Sequence, residues 1–369
     1  MRGETHTITG KRGIFILAMT TIALASTVSA GWTATYLNPA GATSSYAYGI
    51  RLGKVAGGVD STAALWSGTA ASRVNLGTVV AYATDGVEQV GQSFDSNPYG
   101  AAAIWSGTAG TRVDLLSPPS GLDPTYDVSA ATGVFNGLQS GWKGSVLGGP
   151  LLAGMWTDAP NSWISLNPAG KVSSFATGIY NAQEVGWASV VNNGPKHAGL
   201  WNSDAATWVD LNPAGAGQSV ANGVFNPGNI VARQVGGADL DAGFWTSTPG
   251  SWVNLGPAGA SSSEGLGING TGEVGDATFG GVIRAGLWTD TAASWVDLQN
   301  YLTPNYISSR ATGIYTANTG ITSISGYAYN TDTGNYEAVL WTQTVPEPGS
   351  AGVFIAAATL ILRRRSRRA

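Results

Sequence analysis

The sequence predicts an all-β protein built from repeated four-stranded units, and three observations support this fold class. Glycine accounts for 53 of the 369 residues and only 11% are charged, against about 25% charged residues in an ordinary soluble domain. This composition excludes a helical bundle or a coiled coil, whereas the 43% hydrophobic content is enough for a core. The other two observations are a tryptophan and a glycine pair that each recur along the chain.

The first repeated landmark is an apolar residue followed by tryptophan. Its seven tryptophans are Trp66, Trp105, Trp156, Trp201, Trp245, Trp288 and Trp341. The first and last lie 275 residues apart, so the six steps average about 46 residues. A leucine follows each of the first six by ten residues, from Leu76 to Leu298. This constant spacing indicates a hairpin of fixed register.

The second landmark is a pair of glycines eight residues apart with a turn-forming centre, as at Gly178 and Gly186. Two further copies, which begin at Gly223 and Gly313, have longer loops between their glycines. Short apolar runs on either side of a turn are typical of a β-hairpin. Each unit therefore holds two hairpins, and four strands in about 45 residues is the size of a β-propeller blade.

The ends of the repeat predict how the array closes. Leu37–Gly41 repeats the sequence of Leu166–Gly170 without a preceding tryptophan hairpin, and the Trp341 unit lacks the leucine strand that should follow it. Pairing these two pieces predicts a closed seven-bladed β-propeller over residues 31–344. An open β-solenoid is the alternative, although it would need polar caps. Trp32 departs from the repeat spacing, so we expect a bulge or a different role there.

The N-terminus has the pattern of a secretory signal peptide over residues 1–30. Basic residues precede the apolar run of residues 14–25, and Val28-Ser29-Ala30 places small residues at the cleavage position. We expect cleavage after Ala30. An uncleaved anchor is the alternative, but the run is shorter than the roughly 20 residues that span a bilayer.

The C-terminal segment, residues 345–369, has three parts. The sequence Val345-Pro346-Glu347-Pro348 precedes an apolar run over residues 349–362, and five arginines follow. This pattern predicts an extended segment and a single short transmembrane helix with a cytoplasmic basic end. The tail resembles the PEP-CTERM sorting signal of Gram-negative bacteria. The resemblance implies that an exosortase recognises Pro346, Glu347 and Pro348 and processes the tail, in a system often associated with exopolysaccharide.

The repeated body also resembles the HAF family of bacterial extracellular repeats. The match is best at His197-Ala198-Gly199-Leu200-Trp201, and other units keep only the small and apolar residues before tryptophan. Little function accompanies that family. Both resemblances imply an exported protein, anchored by the helix until processing and found afterwards at the cell surface or in the extracellular matrix.

Tryptophans that recur in every unit are expected in the core between blades, because each buries about 150–250 Å². Trp142 and Trp187 follow hairpin glycines and do not recur in the other units. They are therefore the candidates for an exposed ligand platform.

Oxygen ligands for Ca²⁺ lie close together at Asp239 and Asp241 and in the turn that contains Asp332. Neither segment has the spacing of a complete calcium loop, so solvated turn acids are favoured and no cofactor is predicted. A structural Ca²⁺ in the channel remains the alternative.

The body carries 10 basic and 20 acidic residues, which argues against nucleic-acid binding. It has no cysteine, a single histidine at His197 and no nucleophile-elbow motif. We therefore expect a non-enzymatic cell-envelope protein that presents its propeller to a protein or exopolysaccharide. A polysaccharide-active lyase or glycosidase and a purely structural matrix component are the alternatives.

Overall fold

The computed structural model describes residues 31–95, 97–116, 128–225, 229–236 and 239–344. Within these ranges the chain forms seven four-stranded antiparallel sheets. The only helical segments described are short 3₁₀ turns: Ala70–Ser72, Ala109–Thr111, Ala205–Thr207, Pro249–Ser251, Ala292–Ser294 and Leu298–Tyr301. No helix in the described ranges is both long and apolar enough to cross a membrane.

Six sheets each consist of four consecutive strands, innermost strand first. Sheet 1 is β2 (Ser45–Arg51), β3 (Lys54–Val59), β4 (Thr62–Trp66) and β5 (Val74–Thr78); sheet 2 is β6 (Val80–Thr84), β7 (Gln89–Ser93), β8 (Ala101–Trp105) and β9 (Val113–Asp114); sheet 3 is β10 (Val128–Phe135), β11 (Leu138–Gly144), β12 (Leu152–Trp156) and β13 (Ile164–Ser165). Sheet 4 is β14 (Ser173–Tyr180), β15 (Gln183–Ser189), β16 (His197–Trp201) and β17 (Val209–Asp210); sheet 5 is β18 (Gln218–Phe225), β19 (Asn229–Gly236), β20 (Asp239–Thr246) and β21 (Val253–Asn254); sheet 6 is β22 (Ser262–Asn269), β23 (Gly272–Phe279), β24 (Val282–Trp288) and β25 (Val296–Asp297).

Sheet 7 joins the two ends of the repeat. It consists of β26 (Tyr306–Thr316), β27 (Thr322–Asn330), β28 (Asn335–Thr344) and β1 (Gly31–Tyr36), and the antiparallel register of β1 pairs Ala34 with Trp341. The N–H of Leu37 donates to the carbonyl of Ala338 at 2.8 Å. Leu166 makes the same bond to Ala153 in sheet 3 at 2.9 Å. The predicted pairing of the first and last strands is therefore confirmed.

Neighbouring sheets are joined by a repeated hydrogen bond. At six junctions the N–H of an alanine in the third strand donates to a serine Oγ on the innermost strand of the next sheet, over 2.9–3.0 Å: Ala102 to Ser129, Ala153 to Ser174, Ala198 to Ser219, Ala242 to Ser263, Ala285 to Ser309 and Ala338 to Ser45. The last of these bonds connects sheet 7 back to sheet 1. The sheets therefore follow one another around a central channel as a β-propeller, and the open β-solenoid is wrong.

The hydrophobic core lies between the sheets. All seven repeated tryptophans are fully buried, as are the leucines that follow them, so the prediction that these residues form the core is confirmed. In sheets 3 to 6 a second tryptophan packs against the first, with ring centroids 4.5–4.7 Å apart in all four pairs. Trp32 has a different role, because it is buried in an extended strand and packs with Leu298 and Trp341.

Several predicted features lie outside the described residues. They are the signal peptide of residues 1–30 with its cleavage position at Ala30, the Val345-Pro346-Glu347-Pro348 motif and the transmembrane helix of residues 349–362. These features stay predictions.

Candidate functional site

The central channel contains a cavity of about 680 Å³. It is lined by the second halves of the seven innermost strands, from Gly49–Arg51 in sheet 1 to Thr312–Thr316 in sheet 7. These strands run along the channel and end at hairpins, so the cavity lies at the end of the channel where the first hairpin of each sheet turns. A concave space of this size is in the range of small-ligand sites.

One position in each sheet lies near the mouth of this cavity. Each innermost strand has a β-bulge that is followed by a glycine or alanine, such as Gly49, and the position is two residues further on. Its seven residues are Arg51, Asp85, Phe135, Tyr180, Phe225, Asn269 and Tyr315. All but Asp85 line the cavity. The repeated backbone therefore brings non-repeated side chains together in a ring.

Three of these residues form an aromatic arc, defined here as Phe135, Tyr180 and Phe225. The Phe135 and Tyr180 ring centroids are 4.3 Å apart, and those of Tyr180 and Phe225 are 4.7 Å apart. Both pairs are tilted by nearly 50°, which is within the range of favourable aromatic geometries. The arc follows the channel wall over sheets 3, 4 and 5. Phe135 is buried, so Tyr180 and Phe225, which are partly exposed, supply most of the open ring surface.

Arg51 reaches this arc from the other side of the ring. Its guanidinium carbon lies 4.9 Å from the Phe135 centroid and 5.5 Å from the Tyr180 centroid, both within cation–π distance. Of the arginines whose side chains the structure describes, Arg51 alone has no hydrogen bond or ion pair. Its N–H donors are therefore unused at the mouth of the cavity.

Sheets 6 and 7 add hydroxyl and amide groups to the cavity wall, where Tyr315 also lies. Asn269 donates through Nδ2 to the Oγ1 of Thr316 at 3.0 Å, and the hydroxyls of Thr271 and Thr316 are 2.8 Å apart. All three residues line the cavity. The site thus combines an aromatic side, a hydroxyl and amide side, and one cation.

Carboxyl groups near this end of the channel have structural roles. Asp85 accepts hydrogen bonds from the backbone N–H groups of Val87, Glu88 and Asn136. Burial, with the negative charges of Asp158 and Asp85 as further causes, raises the pKa of Glu88 to about 7. None of these carboxylates is among the described residues that line the cavity.

The predicted platform residues Trp142 and Trp187 are brought together by a third ring. Phe175 stacks on Trp142 with centroids 5.6 Å apart and on Trp187 with centroids 5.9 Å apart. Trp187 is only 8% exposed, and the Nζ of Lys196 lies 4.6 Å from its ring centroid. Trp142 is half-buried. The stack therefore packs sheet 3 against sheet 4. It leaves less of the Trp142 and Trp187 rings exposed than the sequence predicted.

This stack lies away from the cavity. Phe175 precedes Tyr180 by five residues on β14, which is about 16 Å along a strand. At the same level of the channel, the guanidinium of Arg310 bridges two sheets through Nε–Oδ2 of Asp276 at 2.9 Å and Nη1–Oε2 of Glu264 at 3.4 Å. The charged groups at that level are thus paired with one another.

The calcium candidates do not meet. Asp241 accepts from the Nδ2 of Asn254 at 2.9 Å, Asp332 donates its N–H to Asn330 at 2.9 Å, and the side chain of Asp239 is outside what the structure describes. The described residues contain no group of three or more histidine, aspartate or glutamate side chains suited to a metal.

His197 belongs to a repeated structural pair. Its Nδ1 is 2.8 Å from the Oδ2 of Asp210 on the outer strand. Asp241 with Asn254 and Arg284 with Asp297 occupy the same two positions in sheets 5 and 6. The same cross-strand pair is thus polar in three sheets, although its residues differ, and it connects the third strand to the outer strand. His197 and Asp241 therefore have a structural role that recurs in other sheets.

The sequence analysis did not single out Arg51 or the aromatic arc. Their signal is nevertheless present, because each residue stands at a fixed distance from a landmark glycine while its identity changes from unit to unit. Repeated positions with unlike residues mark the surfaces on which a repeat protein differs between its units.

Comparison with known proteins shows the fold alone. No family model matches the sequence, and no curated protein matches it significantly. A structure of a puromycin hydrolase S511A mutant complexed with PGG is similar, with a TM-score of 0.52, 10% identity, and coverage of 86% of this chain and 58% of that chain.

Two further similar structures have lower scores. TolB from Acinetobacter baumannii has a TM-score of 0.44 and 10% identity, and the match covers 68% of this chain and 62% of that one. Oligopeptidase B from Leishmania major has a TM-score of 0.46 and 10% identity, and the match covers 76% of this chain and 44% of that one. The chain therefore spans less than two thirds of the length of these proteins.

Proposed function

We propose that this chain is an exported, non-catalytic binding protein that holds an extracellular polysaccharide at the mouth of its central channel. The observation that carries the proposal is the aromatic arc on the wall of the 680 Å³ cavity. Aromatic faces pack against the C–H faces of sugar rings, and hydroxyl and amide groups bond the sugar hydroxyls. The cavity offers the first on one side and the second, at Asn269, Thr271 and Thr316, on the other.

The disposition of the acids favours binding over catalysis. A glycosidase needs two carboxyl groups on either side of the scissile bond. The oxygens of Asp85 accept hydrogen bonds from backbone N–H groups, and neither Asp85 nor Glu88 lines the cavity. A polysaccharide-active enzyme is therefore the weaker candidate.

The binding test compares the purified full-length protein with its Tyr180→Ala variant on a panel of bacterial polysaccharides. We expect at least about a tenfold loss of affinity, because the variant removes the central ring of the arc. His197→Ala, which changes a polar pair on an outer edge, is the matched control and should bind normally. Unchanged binding by Tyr180→Ala, or turnover of any polysaccharide by the wild-type protein, would contradict the proposal.

We further propose that the signal peptide of residues 1–30 exports the chain and that an exosortase processes the tail of residues 345–369. Anchoring in the membrane by residues 349–362 would precede processing, with release to the cell surface or the matrix afterwards. The support is the tripartite order of the Pro-Glu-Pro motif, apolar run and arginine cluster.

Replacement of Pro346, Glu347 and Pro348 by alanines should leave the tail unprocessed in a host that has an exosortase. The prolines keep the segment extended and accessible to a protease, and the apolar run is unchanged in this variant. The readout is the mass of the membrane-bound and released protein. Processing at the wild-type rate would show that this motif is not the recognition signal.

For the architecture we propose seven blades, one per sheet, with the ring closed by β1. Support comes from the seven sheets of the described residues and from the Ala338–Ser45 hydrogen bond. A purely structural matrix role would not require the unlike residues that face the channel mouth.

A further inference from the structure

We infer that the channel mouth selects acidic polysaccharides, with Arg51 as the residue that binds the carboxylate of a uronate-type sugar. The inference rests on the proposed function and names the substrate class of the same site. Arg51 is a cation inside a lined cavity, and no described carboxylate forms an ion pair with it.

The contacts of Arg51 leave its hydrogen-bonding edge open. The cation–π contacts with Phe135 and Tyr180 are made to aromatic rings and give the guanidinium N–H groups no oxygen or nitrogen acceptor. The five N–H donors lie in the plane of the group and match the two oxygens of a carboxylate. Two rings therefore fix the orientation of the side chain without consuming the donors that would recognise a ligand.

Other described arginines show what a structural role looks like in this protein. Arg112 is paired with Asp95 and Asp114, Arg284 with Asp297, and Arg310 with Asp276 and Glu264. Arg73 donates to the hydroxyl of Thr62 at 2.7 Å. Each of these four arginines thus has a polar partner, within its own sheet or, for Arg310, in the neighbouring sheet, whereas the arginine at the channel mouth has none among the described residues.

The position of Arg51 in the ring also points to a ligand. Its equivalents in sheets 3, 4, 5 and 7 are Phe135, Tyr180, Phe225 and Tyr315. The equivalents in sheets 2 and 6 are Asp85, whose carboxylate accepts from backbone N–H groups, and Asn269. A large apolar or aromatic residue would pack against the arc at lower desolvation cost than a cation. The cation is explained if a negative charge enters the cavity beside the aromatic rings.

Leu52 adds an apolar edge to the same mouth. It lines the cavity, is 58% exposed and has a φ of +47°, a backbone conformation that is uncommon for residues other than glycine, asparagine and aspartate. A sugar that places its carboxylate on Arg51 would therefore find apolar surface on both sides of that group, from Leu52 and from the arc.

The test uses oligomers of galacturonate and glucuronate, together with the methyl ester of the galacturonate oligomer, which keeps the sugar and removes the charge. Measurements at 0.15 M salt screen the acidic body beyond about 8 Å. We expect the full-length protein to bind the acids at least tenfold more tightly than the ester. Arg51→Gln should bind acid and ester alike, at the affinity of the wild-type protein for the ester.

Lys54→Gln is the matched control. It removes the same charge from the same hairpin, but Lys54 donates to Ser67 and does not line the cavity, so its selectivity should equal that of the wild type. Melting temperatures of both variants test folding, and Arg51→Lys tests whether charge alone is enough, since lysine lacks the planar fork.

The outcomes separate the two claims. If Tyr180→Ala abolishes binding of neutral sugars while acid and ester bind equally, the proposed function stands and the role of Arg51 is wrong. Equal selectivity of Arg51→Gln and wild type overturns the inference as well. If the folded protein binds none of these oligomers and no neutral polysaccharide, both claims fail.

Discussion

At the scale of single residues, the second tryptophan of each unit is accommodated by a glycine. In sheets 3 to 6 a Cβ added to Gly154, Gly199, Gly243 or Gly286 would collide with the ring of Trp163, Trp208, Trp252 or Trp295. In sheets 1 and 2 the tryptophan is replaced by Arg73 and Arg112, and alanine stands at the glycine position, as Ala64 and Ala103. The two positions therefore change together.

Gly199→Ala should lower the free energy of unfolding by about 1–3 kcal/mol, because the new methyl group overpacks the site against Trp208. Chemical denaturation of the purified protein measures this loss. The double variant Gly199→Ala/Trp208→Arg reproduces the combination of sheets 1 and 2 and should recover part of it. Strict additivity of the two changes would contradict a direct contact between these positions.

The tryptophans and leucines of the core were predictable from the sequence because their spacing repeats. The pairing of the second tryptophan with glycine, and of arginine with alanine, is also visible in the sequence. Its physical reason, the contact between the ring and the glycine, becomes clear only when the strand pairing is known. Arg51 illustrates the stronger limit. It lies 84 residues from Phe135 in the chain, and only the closure of the channel brings the two into contact.

At the scale of the structural elements, a buried amide or carboxyl holds the turn after the third strand. Gln89 accepts from the N–H of Gly107 at 2.9 Å, and Gln139 accepts from that of Asp158 at 3.0 Å. Glu184 and Glu273 make the equivalent bonds to Ser203 and Asp290, at 2.8 Å and 3.2 Å. Since an amide and a carboxylate occupy the same position, the bond is structural and needs no charge.

Glu273→Gln should therefore stabilise the protein at neutral pH. Burial raises the pKa of Glu273 to about 7 from its ordinary value of 4.5, so the native carboxyl contributes most stability below pH 4.5 and loses it as the pH rises to 7. The variant should exceed the wild type by up to about 3 kcal/mol above pH 7, because each unit of pKa corresponds to about 1.4 kcal/mol. The two should converge near pH 4.

Thermal unfolding at pH 4, 6 and 8 follows this difference. Gln139→Glu is the converse variant, because it introduces a carboxyl beside Asp158, with which Gln139 is hydrogen-bonded, and it should lose stability as the pH rises. A stability difference between Glu273→Gln and the wild type that does not change with pH would show that Glu273 is not the titrating group.

The hairpins themselves were predicted well, including the longer loop after Gly313, where Gly326 pairs with Ala311. After Gly223 the spacing was misleading, because Ala221 pairs with Ala232, whereas Gly236 pairs with Asp239 at the next hairpin. The lengths of the outer strands were not predicted. Apart from β1 and β5, the outer strands are only two residues long. The repeated leucine comes directly after each of these short strands and is buried there. Leucine spacing reported the buried contact and not the extent of pairing.

At the scale of the whole molecule, the residues that recur in every unit form the sheets and their core. The residues that differ between units at equivalent positions line the cavity in the channel. Similar backbone geometry in each sheet places one side chain near the channel mouth, and that side chain differs from sheet to sheet. The aromatic arc and Arg51 are such departures from the repeat. The stack of Trp142, Phe175 and Trp187 is another, at a different level of the channel.

The most direct measurement of ligand binding at the channel mouth is an experimental structure of the protein with a bound uronic-acid oligosaccharide. We expect a sugar ring in the cavity against Tyr180 and Phe225, with its carboxylate within hydrogen-bond distance of Arg51. An oligosaccharide seated at the Trp142 end of the channel or on the outer edges of the sheets, with the cavity free of sugar, would contradict it.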